Sequence, residues 1–294
     1  MDRKEREAGK GMSFRRILDN TMSILLWITA LSLVLLVFGL IAYIFFRGWS
    51  ALSWEFITQP PRDSMTKGGI STPLVGTFQL VVLSMIFALP VGIATGLFFA
   101  EYSSGGTFTH LLRLAVRCLA GVPSVVFGLF GLSLFVIMLG LGSSLISASL
   151  TLACLVLPLI ITSAEQAFLA VPQDYRDGSY ALGATKWQTV YKVVLPAAMP
   201  TVITGAILSI GRVAGETAPI IFTGAAFFTP EIAKSIFDEV MALPYHILVL
   251  ATAGTNISET RHIQYGTVLV LLALVLGISS IGIALRNHYR KCSR

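Results

Sequence analysis

Arg212 and Glu216 stand four residues apart in an apolar run, Ala197–Ala225, that holds no other charge and is long enough to cross a bilayer. A charge at the bilayer centre costs at least about 2.5–3.5 kcal/mol, which disfavours an unpaired one facing lipid. Spacing of four puts both side chains on one helix face, one turn apart, where they pair. Such a pair is neutral when empty. When an anion arrives, the guanidinium turns toward it and offers a planar fork of donors that matches an oxyanion through two parallel hydrogen bonds. Arg212 and Glu216 are therefore the candidate substrate-path residues. The competing reading is a buried ion pair that only fixes helix packing.

The elements that hold this pair belong to a polytopic membrane protein. Of 294 residues, 55% are hydrophobic and 12% charged, against about 25% charged in soluble domains. Six apolar runs reach spanning length: Met22–Phe46, Leu74–Ala100, Cys118–Leu141, Leu145–Thr162, Ala197–Ala225 and Gly266–Leu285. The first is longer than a signal peptide's apolar core and lacks an Ala-x-Ala site after it, so it reads as an uncleaved anchor. Val240–Ala253 is apolar but short and carries Pro244. It reads as an outward-facing surface helix broken by that proline. The expected class is all-α with six transmembrane helices.

Charge sets the orientation. Fifteen of the 21 Lys and Arg fall on the side that holds both termini, five (Arg47, Arg62, Lys67, Lys234, Arg261) on the other, and Arg212 lies between. The positive-inside rule then puts both termini in the cytoplasm. The organisation follows: a basic tail over 1–21, an anchor over 22–46, an extracytoplasmic loop over 47–71, a transmembrane core over 72–286 with a cytoplasmic loop at 163–196, and a tail over 287–294. The net charge of +6 is a topology signal, not a nucleic-acid footprint.

Several chemistries are excluded. Gly9-Lys10-Gly11 lacks the earlier glycine and the helix context of a P-loop, so any ATP is used by a partner and this chain is not an enzyme. Cys118, Cys154 and Cys292, with His110, His246, His262 and His288, have no metal-ligand or disulfide spacing. No metal and no cofactor is expected. Gly205, Gly211 and Gly215, with Gly121, Gly128 and Gly131, read as close helix packing rather than an anion nest. Pro90, Pro123 and Pro158 read as kinks.

The loop from Val171 to Pro196 has its own punctuation. Pro172 suits a first helical turn, Gly183 a left-handed helix end, and Thr185 with Gln188 a capping box that restarts a helix. Pro196 is expected to stop it. The turn carries Ala181, Leu182 and Ala184 beside Trp187. Local physics leaves two readings open: a helix that docks in another protein's groove, or a loop packed on its own domain.

The spacing here resembles the EAA motif of ABC importer permeases, E-A-A-x3-G-x9-I-x-L-P. Asp177-Gly178-Ser179 stands at E-A-A, Gly183 at the glycine, and Val193-x-Leu195-Pro196 at the close. Asp replaces Glu, Gly-Ser replaces Ala-Ala, and Val replaces Ile. Gly211-Arg212 through Gly215-Glu216-Thr217-Ala218-Pro219, Ala120-Gly121-Val122-Pro123-Ser124 with Gly128, Gly68-Gly69-Ile70 through Glu101-Tyr102, and Gln264-Tyr265-Gly266-Thr267 resemble the phosphate importer permeases, the PstA type more than its PstC partner. The resemblance covers roughly 68–286. It implies a type I ABC importer fold in a bacterial or archaeal inner membrane. It also implies a second, PstC-like permease, two PstB-like ATPase subunits seated on Asp177, Ala181, Leu182, Gly183 and Pro196, and a PstS-like extracytoplasmic phosphate-binding protein near Phe227–Tyr265. Phosphate would meet Arg212 in transit. The alternatives are a molybdate or sulfate permease, a proton-coupled secondary transporter, and a membrane scaffold without transport.

Overall fold

The computed structural model describes residues 3–103, 105–253 and 257–292. In chain order its helices are α1 (Arg3–Gly48), α2 (Trp54–Thr58), α3 (Ser71–Leu97), α4 (Thr107–Ala120), α5 (Ser124–Gly131), α6 (Leu145–Leu169), α7 (Gln173–Ala181), α8 (Lys186–Thr189), α9 (Leu195–Gly215), α10 (Ala218–Thr223), α11 (Leu243–Thr252) and α12 (Ile257–Cys292). Between α2 and α3, a short hairpin pairs β1 (Pro61–Arg62) with β2 (Lys67–Gly68). Among the described residues five helical stretches reach spanning length, Leu18–Ala51, Ser71–Tyr102, Leu145–Leu169, Lys186–Gly215 and Thr260–Asn287, and one bent helix pair is a sixth span if it crosses as one.

That pair corrects one expectation. The third run is not one straight span, because α4 and the Ser124–Met138 stretch meet at 102°. The cause is Gly121-Val122-Pro123: proline has no N–H to continue a helix and pushes the residue before it toward extended backbone. The fifth run also differs. Its helix starts at Lys186 rather than Ala197 and ends at Gly215 rather than Ala225. Pro196 does not stop it. A π-helical turn over Val190–Val194 widens the ladder just ahead of the proline, where the missing donor does least harm. Pro244 likewise begins α11 instead of breaking it, since proline suits a first turn.

The core lies where α3, α6 and α9 meet. Leu80, Val81 and Met85 of α3, Leu152 and Val156 of α6, and Val213 and Ala214 of α9 are buried together. Small residues set the spacing. A Cβ on Gly96 would press Ala164, one on Gly205 would strike Ser163, one on Gly131 would strike Thr151, and one on Gly128 would meet Phe222 and Pro219. Gly121 and Gly215 do not share this role: a Cβ on Gly215 would meet open space and one on Gly121 only the Cys118 carbonyl at 3.5 Å. Packing continues outward from α9 to α12 and from α12 to α1. None of the most apolar stretch of α1 is buried.

The bundle has two faces. On one, Arg113 of α4 donates to Glu165 near the end of α6 at 2.7 Å, and to the Phe99 carbonyl beyond α3 at 2.6 Å. On the other, the Leu145 N–H at the start of α6 donates to the Asp238 carbonyl at 2.8 Å. There too the Leu243 N–H donates to Thr77 Oγ1 near the start of α3, also at 2.8 Å.

Candidate functional site

The membrane helix that carries Arg212 breaks one turn after it. Arg212 lies in the last turn of α9, and Glu216 is the first residue past its end, with φ −75° and ψ 132°. Thr217 follows, then α10. Val213 and Ala214 beside the break are buried with Val81 and Met85 of α3, so the interruption falls inside the membrane bundle. Irregular backbone at membrane depth persists only where protein or a water-filled cavity covers it, and broken helices of this kind build transporter sites.

The pair expected from spacing forms, but across the helix end rather than along a continuous face. Arg212 Nε donates to Glu216 Oε1 at 3.3 Å. The Arg212 side chain is 41% exposed and the Glu216 side chain 17%. The arginine sits at the negative end of the α9 dipole, which favours a cation there. Its single hydrogen bond uses Nε alone. Among the described residues neither Nη group has a partner. Four N–H donors are left to face a ligand.

The second candidate is the helix–turn–helix at the face carrying the Glu165 pair. Pro172 immediately precedes α7, and Gly183 takes φ +78°. The Gly183 N–H donates to the Tyr180 carbonyl at 2.9 Å and the Ala184 N–H to the Ser179 carbonyl at 3.2 Å, which satisfies carbonyls a helix end leaves open. Both halves of the Thr185–Gln188 capping box are present. Ser179 Oγ lies 2.9 Å from Thr189 Oγ1 and ties α7 to α8. Ala181 is exposed, Leu182 at the tip is 90% exposed, and Trp187 stacks on Tyr191. Asp177 is exposed and accepts from Gln173 Nε2 at 3.1 Å. Pro196 lies a helix away from this tip, within the first turn of α9.

Sequence reasoning missed what holds this loop. Arg176 is buried. It donates from Nε to Glu101 at 3.1 Å, from Nη1 to the Val171 carbonyl at 2.7 Å, and from Nη2 to the Phe168 carbonyl at 2.9 Å. One guanidinium thus clasps the end of the second span, closes the end of α6 and anchors α7. Arg113 and Glu165 form a second clasp beside it. Glu101 and Glu165 are isolated carboxylates just past apolar runs, on the face where Arg113 and Arg176 also fall. That pattern was the available signal.

Residues 92–291 match the family described as "Binding-protein-dependent transport system inner membrane component". The chain belongs to this family. The fold of the chain is also seen in solved structures. A bacterial alginate ABC transporter, in complex with an alginate-bound periplasmic protein, superposes at TM-score 0.65 and 14% identity over 90% of this chain and 93% of that one. The inward-facing MetNI methionine ABC transporter superposes at TM-score 0.59 and 19% identity over 75% of this chain and 97% of that one. These likenesses show a type I importer permease fold. By sequence, the family member is 36% identical over 291 residues to the "Phosphate transport system permease protein PstA" of Mycobacterium leprae, covering 96% of this chain and 93% of the relative. It is 34% identical over 280 residues to the "Probable ABC transporter permease protein YqgI" of Bacillus subtilis, covering 90% and 95%.

Proposed function

We propose that this chain is a permease subunit of an ATP-driven importer for inorganic phosphate. The reading is carried by the half-used guanidinium of Arg212 at a break in a membrane helix. Its fork suits the tetrahedral oxygens of phosphate, and the named relative in Mycobacterium leprae is a phosphate transport permease. Glu216 holds Arg212 when the path is empty and competes with the departing anion, which keeps the site from trapping it.

A second permease lines the other side of the path. Two cytoplasmic ATPase subunits seat on the tips formed by Ala181, Leu182 and Gly183, with Asp177 on the flank of α7. Their closure is passed through the Arg176 clasp to the second and fourth spans at once, and along the Lys186–Gly215 helix, past Pro196, to Arg212. An extracytoplasmic binding protein delivers phosphate to the opposite face. There the 226–239 loop is pinned by Thr72 to the Pro230 carbonyl and by Gln79 to the Ala233 carbonyl, and lines an open cavity of about 770 Å³. Both termini lie in the cytoplasm.

The test is uptake of labelled phosphate by vesicles holding all four kinds of subunit, with ATP inside. Phosphate uptake that a large excess of sulfate or molybdate leaves unchanged supports the reading. Uptake of sulfate or molybdate in place of phosphate reassigns the path, and phosphate uptake driven by a proton gradient without ATP overturns it.

A further inference from the structure

Of the five basic residues on the face opposite the α7–α8 tip, two are answered locally: Lys67 pairs with Asp63 at 3.2 Å and Lys234 with Glu231 at 3.0 Å. Among the described residues Arg47, Arg62 and Arg261 form no ion pair, and two of these three sit together, Arg47 and Arg261. They come from different spans, the last turn of α1 and the first turns of α12. They line one cavity of about 510 Å³ together with Tyr43, Tyr265, His262 and Ser50. Among the described residues no carboxylate lines this cavity and neither arginine forms an ion pair. Two cations facing one small space repel each other unless an anion sits between them.

The cavity is also shaped. Gly48 lets α1 press against the α12 backbone: a Cβ there would lie 2.7 Å from the Tyr265 carbonyl oxygen. The Tyr43 and Tyr265 rings lie edge to face at 5.9 Å. The Arg47 guanidinium lies over the Tyr43 ring, 5.6 Å from its centre. Two guanidiniums, two phenols and a serine hydroxyl therefore converge on one space. That donor set matches a phosphate group.

Its setting decides the source. The most apolar stretch of α1 is unburied and faces lipid. Phe46, which lines the cavity, is 80% exposed, and Trp49 beside it is 61% exposed. Aromatic residues in that position mark the level of lipid headgroups. We propose that this cavity holds the phosphate headgroup of an anionic phospholipid wedged between the first and last spans. It is distinct from the translocation path at Arg212.

The experiment is native mass spectrometry of the full-length chain, titrated with phosphatidylglycerol or phosphatidylcholine of matched acyl chains. Wild type should retain phosphatidylglycerol in preference. The Arg47→Gln/Arg261→Gln variant should lose that preference by about five-fold per arginine, about 25-fold together. Arg47→Lys/Arg261→Lys should keep part of it, because charge survives and the fork does not. Tyr43→Phe is a milder second variant that removes one phenol without changing charge, and should weaken retention in a chain that melts like wild type. Millimolar inorganic phosphate should leave lipid retention unchanged. No phosphatidylglycerol preference in wild type, or equal preference in the Gln variant, overturns the site. Displacement by inorganic phosphate assigns it to a free anion and overturns the lipid source. Loss of docking by an extracytoplasmic protein, with lipid preference intact, assigns the arginines to a protein partner instead.

Discussion

Arg212 commits one of its five donors to Glu216 and leaves the rest toward the helix break. If those donors meet the transported anion, Arg212→Gln should lower phosphate uptake by about 100-fold or more, since each charged hydrogen bond contributes about 1.5–3 kcal/mol. Arg212→Lys should recover only part, keeping charge but not geometry. The exchanged pair, Arg212→Glu with Glu216→Arg, separates a contact from a structural tie. The new arginine would lie on extended backbone outside α9, so it would pair but point from the wrong place. Assembly should survive and transport should not; a swapped pair that transports phosphate would reduce Arg212 to a packing residue. Gly183 allows an equally local test. At φ +78° with no atom within 4 Å of an added Cβ, space is not the constraint and conformation is. Gly183→Asn should couple almost normally, because asparagine tolerates the left-handed region. Gly183→Val should strain the turn by about 1–3 kcal/mol, misaim Leu182, and leave ATP hydrolysis no longer dependent on the binding protein. Normal coupling in the Val variant would remove the α7–α8 tip from the drive train.

At the scale of elements, the Arg176 clasp and the α11 seam carry the next tests. Breaking a buried pair by removing one partner costs about 3–5 kcal/mol, whereas replacing both by apolar groups is often neutral. Glu101→Gln should therefore lower the melting temperature clearly, while Glu101→Leu with Arg176→Met should restore most of it and still leave ATP hydrolysis poorly coupled to uptake. Equal melting of all three chains would mean the clasp is not formed. In α11, His246 is fully enclosed and neither ring nitrogen has a hydrogen-bond partner among the described residues. Burial pushes its pKa down to about 4. Between the ordinary value near 6.5 and about 4, the unfolded chain binds a proton that the folded one refuses. Stability therefore falls as pH drops through that window, by about 1.4 kcal/mol per pH unit, and levels off below it. Thermal melts of wild type and His246→Phe from pH 8 to 4 should differ in that slope. Parallel curves would show that the imidazole is not buried neutral. Helix punctuation in this chain was legible wherever a single residue decides it, as at Gly183 and at Thr185 with Gln188. It was illegible wherever a neighbour decides it. Pro196 reads as a stop until the π turn before it is seen, and nothing near Glu101 in sequence announces Arg176, 75 residues away.

For the whole molecule, hydropathy located the five spanning helices of the described residues and the apolar run of the bent pair, but could not show the bend, because apolar runs report length and not direction. The hydrogen bonds between elements resolve the path. α4 stays at the face where Arg113 meets Glu165, yet α6 begins at the opposite face, where Ser144 and Leu145 donate to the carbonyls of Thr223 and Asp238. If the Ser124–Met138 half of the bent pair carries the chain across, the number of crossings is even and the ends of α1 and α12 that point toward the termini share the face of Leu182. Single cysteines in a background without Cys118, Cys154 and Cys292 test it with a membrane-impermeant maleimide. Gly105→Cys and Leu182→Cys should label only in inverted vesicles, and Gly140→Cys and Phe237→Cys only in intact cells. Gly105 and Gly140 flank the bent pair, and an added Cβ at either meets no other atom within 4 Å, so both positions report side rather than burial. If Gly140→Cys labels from the same side as Gly105→Cys, the pair turns back within the membrane. The order of faces along the chain would then invert from α6 onward, and the α7–α8 tip would no longer lie where a cytoplasmic ATPase reaches it.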